Sequence, residues 1–445
     1  MSDFEQHKLT DSDIVSAPKK NYPEKKVLVV SYYFPPMGLS GVQRTLKFVK
    51  YLTEYNWHPL VLTTTPGAFY AFDPTLEEEI VDRPVDVFRT PASDFTRFLK
   101  GKKGSILKFP SKLKQKLGRT VLQTIYQPDS RITWKKAAVE LGTEILEKNP
   151  VNIIFATAPP FTDFLVAQEL AEKFNIPFIA DYRDIWVDNP FHFYATPFHK
   201  EYSLRLETGV LKRAAKAIVT TRYAKELLLK RYGFLGHEDV FIIPHGYDEE
   251  DFAPFKNVKP NPAKFTITHS GVFQDDRTPK YFLKALAQFM AKYPQAPVEA
   301  RFVGIMRKPH SKLVKKFKLD NVVKCVGYVS HGEAVQHLME SDVLWMMVND
   351  TVRSPGKMYE YFGARKPMLI SSPEGIIRQT ALESGAALVT DPDDTEAILR
   401  SLETLYELWK TKTLPVPDER FVKQYDRKYL TGTLARELAL AADLK

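Results

Sequence analysis

The chain has 445 residues, 44% of them apolar and 26% charged, with a formal net charge of +9. That length exceeds one ordinary core, so two globular domains and an anionic partner are expected. No run of eighteen apolar residues occurs, which excludes a membrane-spanning helix; the single Cys325 excludes a disulfide framework and a cysteine-based zinc site, and fits a reducing cytoplasm.

Residues 1–24 lack the apolar centre of a signal peptide and read as a disordered arm. Lys26–Ser31 is a β-branched apolar run expected as a central parallel strand. It leads into Tyr32-Tyr33-Phe34-Pro35-Pro36-Met37-Gly38-Leu39-Ser40-Gly41, after which Leu46, Val49 and Leu52 share one face of a helix expected over 45–55. Gly38 and Gly41 therefore sit in a loop at the carboxyl end of a strand, where open α/β sheets bind ligands. Their spacing is not that of the dinucleotide fingerprint. Pro59–Thr64 reads as the second strand, with His58 serving the turn before it.

Residues 95–127 stand apart. Arg97, Lys100, Lys102, Lys103, Lys108, Lys112, Lys114, Lys116 and Arg119 are basic, and no acid falls between Asp94 and Asp129. Ile106, Phe109, Leu113 and Leu117 interleave at helical spacings. A basic amphipathic segment of this kind reads as a membrane-surface element, each cation contributing about 1 kcal/mol at an anionic leaflet. The alternative is a solvated helix over the core edge. No nucleic-acid module accompanies the charge, so nucleic acid is not the expected partner.

A helix over 134–148 and a strand over 151–157 follow, then the turn Ala158-Pro159-Pro160-Phe161-Thr162 and a helix from Asp163 to Phe174. The strand 176–180 feeds Asp181-Tyr182-Arg183-Asp184-Ile185-Trp186. Charges at a strand's end are costly unless paired or exposed in a cleft. A strand over 217–221, a helix over 224–232 and a strand over 240–243 lead to Pro244-His245-Gly246-Tyr247-Asp248. The domain boundary is placed in the proline-rich stretch 254–262.

The second half opens with the strand 265–271, ending in Gly271. Arg277 lies in the turn before a helix over 280–293. Strands over 298–304 and 322–328 follow, the latter ending at Gly327, with a helix over 331–339 behind it. His269 is placed in a strand core. Val343–Val348 then reads as a buried strand, followed by Arg353-Ser354-Pro355-Gly356-Lys357-Met358-Tyr359-Glu360-Tyr361-Phe362. A glycine turn lets backbone approach a ligand, and the helix behind it offers unpaired N–H groups and positive dipole to an anion. Lys357 adds a full charge there. Glu360, one turn on, is placed to accept hydrogen bonds from sugar hydroxyls. Together they suggest a diphosphate next to a ribose. Lys366–Ser371 reads as the next strand, and a helix is expected over 421–440.

The 353–362 stretch resembles the donor-binding motif of glycosyltransferase family four, nucleotide-sugar enzymes with the two-domain GT-B fold. The Pro-Pro…Gly…Gly loop, the Ala-Pro-Pro-Phe turn and Asp-Tyr-Arg-Asp-Ile-Trp are similar to the same family. The resemblance covers about residues 26–440. It implies two Rossmann-like doubly wound α/β domains facing across a cleft: 25–255 for the acceptor, 256–415 for the donor, and 416–445 as a helix packing back on the first. It places Glu360 on the donor ribose and Gly356, Lys357, Gly271 and Arg277 on the diphosphate. Gly38 and Gly41 fall near the phosphates and acceptor, and Gly327 beside the base. Asp184, Arg183 and Glu360 become the candidate catalytic residues. The sequence departs from the family where a second glutamate, eight residues before Glu360, would fall on Val352, and where His245 replaces an asparagine.

On this resemblance the chain is a retaining transferase that moves a sugar from a UDP- or GDP-linked donor to a glycan or lipid-linked acceptor. It would work in the cytoplasm at the inner face of an anionic membrane, using Lys108, Lys112, Lys114 and Lys116 as the membrane contact, with no cofactor and no metal. Two alternatives stay open: a nucleotide-sugar epimerase of the same fold, and a non-catalytic nucleotide-sugar-binding scaffold.

Overall fold

The computed structural model describes residues 24–38, 40–66, 72–91, 124–273, 277–352 and 354–443. The basic stretch with Lys108, Lys112, Lys114 and Lys116, and the N-terminal arm up to residue 23, lie outside the described residues.

Seven parallel strands form the first sheet: β1 (Lys25–Val30), β2 (Trp57–Thr64), β3 (Asp86–Thr90), β4 (Ile153–Ala158), β5 (Phe178–Tyr182), β6 (Lys216–Val219) and β7 (Val240–Ile242). Their order is β3-β2-β1-β4-β5-β6-β7, so the strand order reverses between β1 and β4. The second sheet holds β8 (Phe265–Ser270), β9 (Val298–Val303), β10 (Val323–Gly327), β11 (Val343–Met347), β12 (Met368–Ser371) and β13 (Ala387–Thr390). Its order, β10-β9-β8-β11-β12-β13, reverses between β8 and β11. Helices cover both faces, which is why the central strands are apolar on both sides rather than alternating: Val27, Leu28, Val29 and Val30 are all fully buried. Two Rossmann-like halves result, each with a crevice at its reversal point where ligands bind in such sheets.

The expected strands are present, with shifted edges. Asp181 and Tyr182 lie inside β5 rather than in the loop after it. The first helix begins at Ser40, not Thr45, and ends at Leu52 before a short 3-10 turn. Gly41 therefore belongs to a helix's first turn instead of a loop. The expected C-terminal helix is broken in two, Glu419–Lys423 and Arg427–Ala442, because Asp426 caps the second by accepting from the N–H of Lys428.

That second helix lies on the first domain. Leu430, Leu434, Leu438 and Ala441 share one apolar cluster with Leu46, Val49 and Leu52. Truncating fully buried Leu434 to alanine would cost about 2–5 kcal/mol. The chain thus crosses between domains twice, and the crossings are stitched together: Tyr247 N–H donates to Tyr425 O at 3.1 Å, and Arg427 N–H donates to Tyr247 O at 2.8 Å.

Candidate active site between the two domains

Neighbouring strands β8, β9 and β10 run out into Gly271, Gly304 and Gly327, whose φ values of +129°, +123° and +95° suit glycine. The backbone is tightly layered here. Gly304 N–H donates to Gly327 O at 2.7 Å, and a β-carbon on Gly304 would stand 2.6 Å from Gly271 O. Bare backbone therefore forms a shelf beside the β8/β11 reversal.

Lys357 lies over that shelf, its ammonium directly on Gly271. It comes from the first turn of the Gly356–Ala364 helix, which follows Pro355 and has no side-chain cap. Met358 N–H donates to Pro355 O at 3.1 Å, which leaves the N–H groups of Gly356 and Lys357 to meet an outside acceptor. Burial, reinforced by Arg277 and opposed by Glu360, lowers the Lys357 pKa to about 8. Arg277 Nη2 stands 3.7 Å from Asp350 Oδ2. No hydrogen bond or ion pair joins Glu360 to a described residue. The structure thus gathers Gly271, Arg277, Gly327, Gly356, Lys357 and Glu360 around one rim.

The first domain supplies the facing wall. A β-carbon on Gly38 would meet Tyr328 Oη at 2.7 Å and Asp73 Cβ at 3.0 Å, so Gly38 is where the domains touch. Asp73 Oδ2 accepts from the N–H of His331 at 3.1 Å, across the same contact. Arg183 is only 8% exposed; its guanidinium donates to the carbonyls of Gly41 and Pro159, and its Nε to Ala158 O at 3.4 Å. It ties together the segments after β1 and β4, on the two sides of the reversal. Asp184, the next residue, is half-buried.

A buried charge network behind this wall was not foreseen. Arg44, Lys47 and Lys50 recur every third residue along one face of the first helix, and all are buried. Arg44 forks onto Asp181, with Nε 3.0 Å from Oδ2 and Nη2 2.8 Å from Oδ1. Lys47 Nζ stands 2.6 Å from Glu79, 2.7 Å from Asp248 and 2.6 Å from Asp251. These three carboxylates are close enough to hold a metal ion, but the Lys47 ammonium sits among them. Asp251 also pairs with His331 Nε2 at 2.8 Å. The spacing of three cations, every third residue along one helix, was the available signal.

Two histidines have structural surroundings. His269 stacks on Phe273 with ring centroids 4.3 Å apart, and its Nδ1 is 3.1 Å from Trp345 O. Burial, with Lys357 adding to it, pulls its pKa down to about 3. His58 lies in β2 rather than in a turn and pairs with Asp86 at 2.9 Å.

Residues 85–251 match the family model described as Glycosyltransferase Family 4, and residues 264–407 match the one described as Glycosyl transferases group 1. Among solved structures, HepE of Anabaena in complex with UDP and glucose is similar with a TM-score of 0.63 at 15% identity, over 94% of this chain and 100% of that one. A glycosyltransferase from Rickettsia africae is similar at 0.62 and 15%, over 95% and 100%. Sucrose-phosphate synthase of Thermosynechococcus elongatus is similar at 0.60 and 16%, over 94% and 100%. No protein of curated function matches the chain in sequence.

Proposed function

The chain is a family-four-like glycosyltransferase with the GT-B fold, and from that premise we propose that it transfers a sugar, with retention, from a UDP- or GDP-linked donor to a lipid-linked or cell-envelope glycan acceptor. The observation that carries the donor half is the Lys357 ammonium lying on Gly271 at a helix start with no side-chain cap, one turn from a Glu360 that pairs with no described residue. Such a rim receives a diphosphate on the cations and N–H groups, and a ribose on the carboxylate. HepE, the similar Anabaena protein, has been solved with UDP and glucose, which supports a uridine donor. Both halves match transferase models, which favours transfer over the epimerase and scaffold alternatives.

As the bond to the sugar breaks, negative charge grows on the leaving phosphate. Lys357, Arg277 and the helix N-terminus at Gly356 stabilise that charge where it develops, without a metal, and they are already in place before the reaction. Gly38 and Gly41 let the first domain approach the same phosphates. Arg183 holds the acceptor-side segments in position, and Asp184 orients the acceptor hydroxyl. The leaving phosphate itself takes the proton.

The acceptor's membrane setting rests on the basic stretch. That stretch lies outside the described residues; the first described residue after it, Thr124, has its carbonyl 3.1 Å from His199 Nε2. The helix carrying His199 exposes Phe198 (84%) and Tyr202 (51%), aromatic side chains suited to a lipid interface. Co-sedimentation with anionic vesicles checks this: Lys112, Lys114 and Lys116 changed together to Glu should abolish binding, and unaltered binding rejects it.

Calorimetric titration with UDP and GDP tests the donor site. Wild type should bind one of them in the presence of EDTA, and Lys357→Ala should bind about ten-fold or more weakly. If neither nucleotide binds the wild type, the donor assignment is wrong.

A further inference from the structure

Arg427 begins the helix that crosses back onto the first domain. Its backbone is anchored to Tyr247, but its guanidinium is not. The residue is 5% exposed, and among the described residues its Nη1 has no hydrogen-bond partner and no ion pair holds it. An arginine cannot relieve such a position by losing its proton at neutral pH. A buried cation without a counter-ion is costly, so the site is built for an anion that arrives from outside.

The neighbouring carboxylates do not fill that role. Asp248 is already bound by Lys47, Lys50 and Tyr51, and Asp251 by Lys47 and His331. Glu360 faces Arg427 from the other domain but does not pair with it. The nearest other cation, Arg44, has its own partner in Asp181 and adds repulsion. Burial, with Arg44 next, lowers the Arg427 pKa to about 10, which leaves it charged at neutral pH.

His245 lies alongside. It follows Pro244, whose carbonyl accepts from Arg44 Nη1 at 2.7 Å, and its ring is 6.3 Å from that of Tyr359 in the second domain. No hydrogen bond from a described residue occupies either ring nitrogen. Burial, then Arg44, Arg427 and Arg183, hold its pKa well below the ordinary value, so at pH 7 it is neutral with one N–H to donate. A planar guanidinium fork beside a neutral imidazole donor matches a tetrahedral oxyanion.

We propose that Arg427 and His245 form a phosphate-binding site at the hinge-side floor of the cleft, separate from the Gly271–Lys357 rim, and that the acceptor carries the phosphate. Only the word acceptor rests on the transferase reading; the oxyanion site stands without it. The rival source is the donor's own diphosphate, and the two are separable by competition.

The test is calorimetric titration with inorganic phosphate, alone and in the presence of saturating UDP. Phosphate should bind wild type equally in both conditions. Arg427→Gln should lose about ten-fold or more in phosphate affinity and keep UDP affinity, and Lys357→Ala should do the reverse. Phosphate that competes with UDP, or that binds Arg427→Gln as it binds wild type, overturns the proposal. Should Arg427→Gln not fold, Arg427→Lys keeps the charge without the fork and His245→Ala removes the second donor; each should weaken phosphate about three-fold or more, and wild-type affinity in both overturns the site. If neither UDP nor GDP binds while the phosphate results hold, the donor reading falls and this site remains.

Discussion

The ammonium of Lys357 lies where a β-carbon on Gly271 would have to stand. The two residues are far apart in sequence, yet one exists to make room for the other. Lys357 titrates near pH 8, and only its protonated form attracts a diphosphate. UDP affinity should therefore hold below pH 8 and fall as pH rises through it. Lys357→Arg, which stays charged, should remove that fall. Binding that is flat with pH in wild type, measured by calorimetry from pH 6.5 to 9.5, would contradict this.

Gly271→Ala attacks the same relationship from the other side. Its φ of +129° strains any side chain, at about 1–3 kcal/mol, and the added carbon displaces Lys357. Thermal unfolding should show a modest loss of stability. Calorimetry should show UDP binding reduced at least as far as in Lys357→Ala. A variant that binds UDP normally would mean that Lys357 reaches the ligand from elsewhere.

Glu360 has no hydrogen bond or ion pair to lose among the described residues, so its removal should spare the fold. Glu360→Ala should weaken nucleotide binding by about 1.5–3 kcal/mol, roughly 10- to 100-fold, the worth of hydrogen bonds to a charged group. The melting temperature without ligand should stay within about 1 °C of wild type. Unchanged UDP affinity would remove the ribose role.

Asp184 and Arg183 are adjacent but differ in surroundings, and their variants should differ too. The Arg183 guanidinium donates to the carbonyls of Gly41, Pro159 and Ala158, and Ala158 O keeps a second donor, the backbone N–H of Arg183 at 2.9 Å, so Arg183→Ala removes buried hydrogen bonds at a cost of about 1–3 kcal/mol. It should lower both stability and turnover. Asp184→Asn keeps size and removes charge. It should slow sugar transfer while UDP affinity and melting temperature stay put. Wild-type turnover in Asp184→Asn, followed with a labelled donor, would leave the carboxylate without a part in the reaction.

The clustering of glycine, lysine and glutamate at the Gly356–Ala364 helix was legible because it is local: strand, glycine, lysine and glutamate fall within one short stretch, and a strand-to-helix turn brings them together. Gly271 and Gly327 could be read as strand ends for the same reason. The start of the helix at Ser40 was read late, since its first turn carries glycine and polar residues without apolar periodicity. The edge strand β3 and the Pro197–Arg213 helix were missed because their partly exposed faces blur the pattern. The interdomain network was out of reach for another reason. Lys47 meets Asp251 across 204 positions, and Asp251 meets His331 across 80. No window along the chain contains those pairs; only the return of the linker past the first helix creates them.

His331 makes this network sensitive to pH. Although burial alone would lower its pKa, the hydrogen bond and charge of Asp251 raise it from 6.5 to about 9. A histidine whose folded pKa is raised binds its proton more tightly in the native state. Its contribution is therefore complete below pH 6.5, declines as pH rises, and is lost above about 9. The amount is on the order of 2 kcal/mol, since one pKa unit is about 1.4 kcal/mol and solvent reaches part of the ring. Other groups titrate in the same window, so the informative quantity is the difference between wild type and His331→Gln in urea unfolding from pH 6 to 10. That difference should be largest at pH 6 and vanish near pH 10. Because His331 joins the second domain to Asp251 at the end of the first, its neutralisation should also loosen the Gly38–Tyr328 contact and speed proteolysis of the 254–262 stretch at high pH. A stability difference that grows with pH would place the proton elsewhere and break the chain of reasoning from Lys47 to His331.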